Sequence, residues 1–426
     1  MGKQIVLLAS LDTKAPEAAF LRDRIRESGH HCTVLDIGYG RPAAIEADIS
    51  AADVARAAGT DELAVRAMQD TGAASNLVMQ GAIILVHGLL REGRCDGVIG
   101  FGGASNTTLA TGVMQAMPVG IPKLVISSSA AMPAYAARYY GAKDITIMNA
   151  IVDISGINTI TKSLLRRGAG AICGMAESSR GEIRSLTGKK LVAVSSFRFA
   201  EDCSQRVMRE LELRGYSPIP FHAQGVGENA MEELVAQGLF VGVIDVVPAG
   251  LSERMLGGNR AANARRLEGA GRAGIPAVIA PSGFDMISCG PISRRNSADP
   301  LWVEKGLAGR AICIPDKFRV EARTTAAEVG DIAAAVAARL NGNGTPACVV
   351  VPTRGWSSLS VAGAELHDPD ADAALVPSLR RHLDAGIPVV EVDCELNSEA
   401  FATVLVDRLV GMLAAGSPGA SRQKSG

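Results

Sequence analysis

One alternation, kept along nearly the whole chain, constrains the fold most. Short runs of Val, Ile and Leu recur between longer Ala-rich segments of helical periodicity. In the first half the expected strands are Gln4–Ala9, Thr33–Ile37, Gly97–Phe101, Lys123–Ser127 and Ile145–Asn149. The helix patterns around them are Pro16–Ser28, Ala51–Ala58, Ala73–Arg91, Thr107–Met117 and Gly156–Cys173. Continuous apolar strands linked by helices predict a parallel sheet covered on both faces. Aromatic residues make up only 4% of the chain, so the core must be aliphatic, which suits such a sheet.

The rhythm breaks once. The stretch GMAESSRGEIRSLTGKK, Gly174–Lys190, is polar and without period, and reads as a linker. Strand patterns then resume at Leu191–Ser195, Ser217–Phe221, Gly242–Val246, Pro276–Ala280, Ala347–Val351 and Val389–Asp393, with a closing helix over Glu399–Ala414. The sequence therefore predicts an α/β protein of two tandem Rossmann-like, doubly wound domains with mainly parallel sheets. Residues 1–178 form the expected N-terminal nucleotide- or phosphate-binding domain, residues 188–415 the C-terminal domain, and 416–426 a disordered tail. A chain of 426 residues accommodates both.

Charge excludes some functions. Lys and Arg total 43 against 44 Asp and Glu, and no basic run occurs, which argues against a surface for nucleic acid or anionic membrane. The sequence shows no uninterrupted apolar run of the ~18 residues that would span a bilayer. The N-terminus enters a strand pattern directly, without a signal-like segment. Eight scattered cysteines form no CxxC pair, as expected of reduced core thiols in a cytoplasmic protein.

In doubly wound sheets, ligands bind beyond the carboxyl ends of the strands. That directs attention to a few loops. GFGGASNTT offers Gly102 and Gly103 for close backbone approach, then Ser105, Asn106, Thr107 and Thr108 at a helix start, where free N–H groups attract phosphate or carboxylate. An ordinary strand-to-helix turn is the competing reading. After the first strand, Asp12, Thr13 and Lys14 either cap the next helix or hold a metal or phosphate. His222 ends a strand ahead of a glycine loop, as a general acid/base or as a loop-bonding imidazole; Glu228 is explained by the helix start it opens. Cys289 reads as a buried thiol, and Asp153 or Ser155 as a helix cap.

LASLDTKAPEAAFLRDRI, DIGYG, GFGGASNTTLATGVMQAMPVGIPKLVIS, DITIMNAIVDISGIN, FHAQGVGENAMEEL and GRAGIPAVIAPSGFDM follow one another in a single order. Together they resemble the ATP-binding domain family named for the N-terminal half of the tomato mosaic virus resistance protein. The resemblance implies two Rossmann-like subdomains, ATP binding (with Mg2+ as its companion ion) and homodimers. The departures fall in the second domain, where SSFRFAEDC, GVGENAME and IDVVPAGLSE replace the family's usual loops. The resulting expectation is a nucleotide, or a phosphorylated or carboxylated small molecule, held by Asp12, Thr13, Lys14, Gly102, Gly103, Ser105, Asn106 and Thr107 in an interdomain cleft, with His222 as the proton-transfer residue of a metabolic enzyme. A non-catalytic ATP-responsive protein and an ATP-independent carbon–carbon hydrolase or lyase are the alternatives.

Overall fold

The computed structural model describes residues 2–179 and 189–415. The chain divides into two compact units, Met1–Leu186 and Thr187–Gly426. The first contains β1 (Gln4–Ala9), α1 (Ala15–Glu27), β2 (His31–Asp36), α2 (Ala51–Ala57), α3 (Glu62–Ala67), α4 (Thr71–Arg91), β3 (Gly97–Gly102), α5 (Ala104–Ala116), β4 (Lys123–Ser127), α6 (Pro133–Tyr140), β5 (Ile145–Asn149) and α7 (Thr159–Ser178). Its five strands are all parallel, in the order β2-β1-β3-β4-β5.

Alternation along each strand feeds two cores. Ile5, Leu7 and Ala9 join Ile99, Phe101, Leu124 and Ile126 under α1 and α7. Val6 and Leu8 join Val98 and Val125 on the opposite face, under α2, α4 and α5. Each such fully buried aliphatic side chain contributes about 1.5–3 kcal/mol. By length and composition α4 could cross a bilayer, with a mean hydropathy of 1.6, which the sequence reading had not anticipated. Here it packs against α2 and α5 and sends Val78, Ala82, Val86 and Leu89 into the core.

The second unit contains β6 (Leu191–Ser196), α8 (Glu201–Leu213), β7 (Ser217–His222), α9 (Val226–Ala236), β8 (Gly242–Asp245), α10 (Ala249–Leu256), α11 (Gly269–Ala273), β9 (Ala277–Ile279), β10 (Met286–Ser288), α12 (Pro300–Glu304), β11 (Ile312–Cys313), β12 (Glu321–Arg323), α13 (Ala326–Leu340), β13 (Ala347–Pro352), α14 (Pro369–Asp372), α15 (Leu375–His382), β14 (Val389–Val392) and α16 (Glu399–Ala415). Six parallel strands run in the order β14-β13-β9-β8-β6-β7, which repeats the winding of the first unit with one strand added. A small antiparallel sheet, β10-β12-β11, was not expected from the sequence.

Two boundaries are corrected. The expected linker begins too early, because Gly174–Ser178 are the last residues of α7; 180–188 and the expected tail 416–426 lie outside the described residues. Helix α5 starts at Ala104, three residues before the expected Thr107, so the hydroxyl cluster lies inside its first turn.

Candidate functional site

In the first sheet the winding reverses between β1 and β3, since β2 lies on one side of β1 and β3 on the other. A crevice forms at the carboxyl ends there. An open cleft of about 440 Å³ occupies it, lined by Asp12, Thr13, Lys14, Gly103, Ser105 and Asn106, six of the expected site residues. Ser10, Tyr39, Gly40, Ala104 and Asp153 complete its wall and were not among the expected site residues. Asp153 does not cap α7, because Asn158 does so with Thr161 in a reciprocal capping box.

Helix α5 opens directly onto this cleft. Its N-cap is Gly103, with no side-chain cap and no acidic residue in the first turn. The N–H groups of the first turn therefore have neither an intrahelical acceptor nor a side-chain cap. The glycines ahead of them serve different ends. Gly100 lets the helix close on the strand, since a Cβ there would lie 2.6 Å from the Ala110 Cβ. Gly102 has φ +142°, where a side chain is strained, and is buried rather than cleft-lining. Gly103 has an ordinary φ of −82°, and a Cβ there would meet nothing nearer than Ser128 Oγ at 3.9 Å.

Thr107 is corrected. It is buried, its N–H bonds the Gly103 carbonyl at 2.9 Å and its hydroxyl lies 2.8 Å from Ser127 Oγ, so it braces β4 instead of facing a ligand. Asn106 does face the cleft, held by Ser10 Oγ donating to its Oδ1 at 2.7 Å.

Asp12 and Lys14 stay at the cleft, but not as helix caps. Lys14 occupies the N-cap position of α1 without a side-chain cap, and its ammonium donates to the Ile154 carbonyl. Asp12 Oδ2 accepts from the N–H groups of Gly40 at 3.0 Å and Arg41 at 3.2 Å, tying β1's loop to the DIGYG turn. Beneath it the buried Asp36 accepts from Leu11 N–H at 3.0 Å and Gly38 N–H at 2.8 Å. Burial pushes the Asp36 carboxyl up, those two N–H bonds pull it back, and the charge of Asp12 adds to the rise. The cleft thus has a donor-rich wall at α5 and an ionic wall at Asp12 and Lys14.

The equivalent crevice of the second unit, between β6 and β8, is filled by the chain itself. Ser195 Oγ donates to Asp245 Oδ1 at 2.7 Å, and Arg266 donates to the same oxygen at 2.8 Å. Glu228 is completely buried and accepts from Gly225 N–H at 2.9 Å, Gly250 N–H at 2.7 Å and Arg266 Nε at 2.8 Å. It is thus a structural hub rather than a mere helix-start charge. Nearby, Arg260 binds both Glu253 and Glu321, and burial pushes the Glu321 carboxyl up to about 7.

His222 ends β7 at the edge of this sheet, exposed, with its ring edge-on to Phe197 at 5.9 Å. No hydrogen-bond partner orients its imidazole among the described residues. Cys289 is a buried thiol donating to the Val320 carbonyl at 3.5 Å, pushed up to about 12 by burial, and therefore unreactive. Among the described residues no group of three His, Cys, Asp or Glu is placed to hold a metal.

Residues 3–181 match the N-terminal domain of Uncharacterised protein family UPF0261, and residues 189–413 match its C-terminal domain. The chain belongs to this family. A UPF0261 protein of Clostridium tetani is 31% identical over 97% of this chain and the whole of its own length. The tomato ToMV resistance protein Tm-1(GCR237) is 32% identical over 74% of this chain and 41% of its own length, which agrees with the motif resemblance. Among solved structures, a UDP-GlcNAc 2-epimerase of Methanocaldococcus jannaschii covers 65% of this chain and 83% of its own at 10% identity, with a TM-score of 0.22, too low to carry an argument.

Proposed function

We propose that the first unit binds the phosphate or carboxylate head of a small molecule at the N-terminus of α5, with ATP as the leading candidate. One observation carries this reading: an uncapped helix start, without acidic side chains in its first turn, opens into a cleft at the reversal point of a parallel sheet. Helix N-termini favour anions through free N–H groups and the helix dipole. Gly103, Ser105 and Asn106 supply that wall, while Asp12 and Lys14 stand opposite as the polyphosphate or Mg2+ end. Mg2+ needs only one or two carboxylates when phosphates complete its shell, and among the described residues no group donates to Asp12 Oδ1.

The wider reading is a cytoplasmic metabolic enzyme acting on a small acidic substrate, with His222 as its proton-transfer residue. One observation favours the non-catalytic alternative, in which nucleotide only sets a conformational state: among the described residues no hydrogen bond holds the His222 imidazole, whose ring only packs against Phe197. Titration calorimetry with ATP and with pyrophosphate tests the binding. Gly103→Val places a branched side chain at the cleft wall where the anion is proposed to lie; its Cβ meets nothing nearer than 3.9 Å, so melting should stay cooperative while affinity falls beyond detection. Unchanged affinity would dismiss the α5 site. The homodimer that the resemblance implies is tested by light scattering against a chain mass of 44.1 kDa.

A further inference from the structure

Between β5 and α7 the backbone takes a shape that its side chain opposes. Ile151 has φ +53°. Of the three non-glycine residues with positive φ among the described residues, Ile151, Leu267 and Ala298, it alone is β-branched, and a branched Cβ is strained there. Across it, Val152 N–H donates to the Ala150 carbonyl at 2.6 Å, which closes a γ-turn of the rare, strained form. No packing compensates, because Ile151 is 78% exposed, more than any other large apolar side chain among the described residues. The turn is anchored on both sides. Ala150 and Ile154 are buried in the core under α1 and α7. Ala150 N–H donates to the Ser127 carbonyl at 2.9 Å, and Gly156 N–H to Glu17 Oε1 at 2.6 Å. These anchors confine any rearrangement to residues 151–153.

The turn carries Asp153. Its carboxylate is exposed, lines the anion cleft with Lys14, Gly103 and Ala104, and has no recorded hydrogen bond among the described residues. The N-terminal dipole of α5 attracts a negative charge in this cleft, and so does the Lys14 ammonium, which donates to the carbonyl of the adjacent Ile154. We propose that Asp153 is a built-in placeholder for the anion. In the ligand-free protein its attraction to that wall holds the Ile151 turn in the strained form; an arriving anion displaces the carboxylate and the turn relaxes to negative φ. Glu228 fills the corresponding crevice of the second unit, hydrogen-bonded and without a strained tether. Relaxation adds to the affinity for the ligand, since strain of the usual size at such a residue is worth about 5–150-fold in an equilibrium constant. This inference rests on the anion position at α5 argued above, and its test separates the two.

Calorimetry with pyrophosphate in metal-free buffer compares variants of the full chain, each checked for cooperative melting. Asp153→Asn removes the competing charge and should tighten binding at least about threefold. Ile151→Gly relieves the strain of the ligand-free form and should weaken binding at least about fivefold. In the Asp153→Asn background the same glycine should change affinity by less than about twofold, because the placeholder that held the turn is gone. Ile151→Ala keeps a Cβ at positive φ and should stay nearer to the wild type than to the glycine variant. Equal weakening by alanine and glycine would assign the effect to a lost side-chain contact and overturn the strain argument. Weaker binding by Asp153→Asn would make Asp153 a ligand and overturn the placeholder. Unchanged affinity in all these variants, with Gly103→Val still abolishing binding, overturns the switch and leaves the anion position standing. Binding that Gly103→Val spares overturns that position and the switch with it, as does absence of binding by both the wild type and Asp153→Asn.

Discussion

Glu228→Gln is the most informative single change in the second unit. The carboxylate has two oxygens and three donors: Gly225 N–H on Oε2, and Gly250 N–H with Arg266 Nε on Oε1. Glutamine keeps the volume but offers a single acceptor. Wherever its NH2 group points, it faces a buried N–H that has lost its partner. An unsatisfied buried donor costs about 1–3 kcal/mol. Arg266 also loses one of three carboxylates but retains Asp245 and Glu232. The loss of that attraction is partly offset, because three carboxylates around one guanidinium repel one another. The expected net loss is therefore about 2 kcal/mol, short of the 3–5 kcal/mol for breaking a buried pair outright.

The chain reports this cleanly. Its two tryptophans, Trp302 and Trp356, are both buried in the second unit, so their fluorescence follows that unit alone. Denaturant unfolding followed by tryptophan emission should show a lower midpoint at unchanged slope. Nucleotide affinity should stay as in the wild type, since no part of the proposed site is touched. A midpoint unchanged to within about 0.5 kcal/mol would mean that Glu228 does not bind the Gly225 and Gly250 N–H groups as described. Increased affinity for phosphate would refute the placement of ligand binding in the first unit.

Other expectations follow from particular contacts. Gly100→Ala should cost about 1–3 kcal/mol by overpacking against Ala110, measured as a lower first-unit transition in hydrogen exchange, and Ala110→Gly should restore part of it. Burial pushes the carboxyls of Glu321 and Asp372 up to about 7, above their unfolded values, so their contribution is complete below about pH 4.5 and is lost as pH rises through 7. The tryptophan-detected midpoint should accordingly be higher at pH 6 than at pH 8, by about 1.4 kcal/mol for each group, since the loss ends once both states are ionised above pH 7, and the opposite trend would contradict their burial.

The strands were legible because parallel strands buried on both faces must be continuous apolar runs; β1 and β4 were read to the residue, as was the less buried edge strand β5. Helix starts were less so. Ser105 and Asn106 carry side chains that usually stand at a cap, yet the backbone turns helical before them at Ala104. Which hydroxyl faces the cleft depends on helical phase, so Ser105 reaches it and Thr107 does not. The strands of the small antiparallel sheet are two or three residues long, and Glu321 and Arg323 make β12 look polar. Their partners Arg260 and Asp372 lie 61 and 49 residues away in sequence, beyond any local pattern.

The hardest feature to read was the contrast between the two crevices. Both sheets wind in the same order, so both create a site at the reversal point. In the second unit a tethered carboxylate already accepts from Gly225 and Gly250, and a free phosphate would have to displace a group held at high effective concentration and neutralised by Arg266. In the first unit Asp12, one of two carboxylates lining the cleft, is turned instead to the Gly40 and Arg41 N–H groups, and no acidic side chain stands in the first turn of α5. The same geometry is thus satisfied internally in one unit and open to solvent in the other. From sequence alone, Glu228 registers only as a favourable charge at a helix start; its second role is set by Gly250 and Arg266, 22 and 38 residues further on.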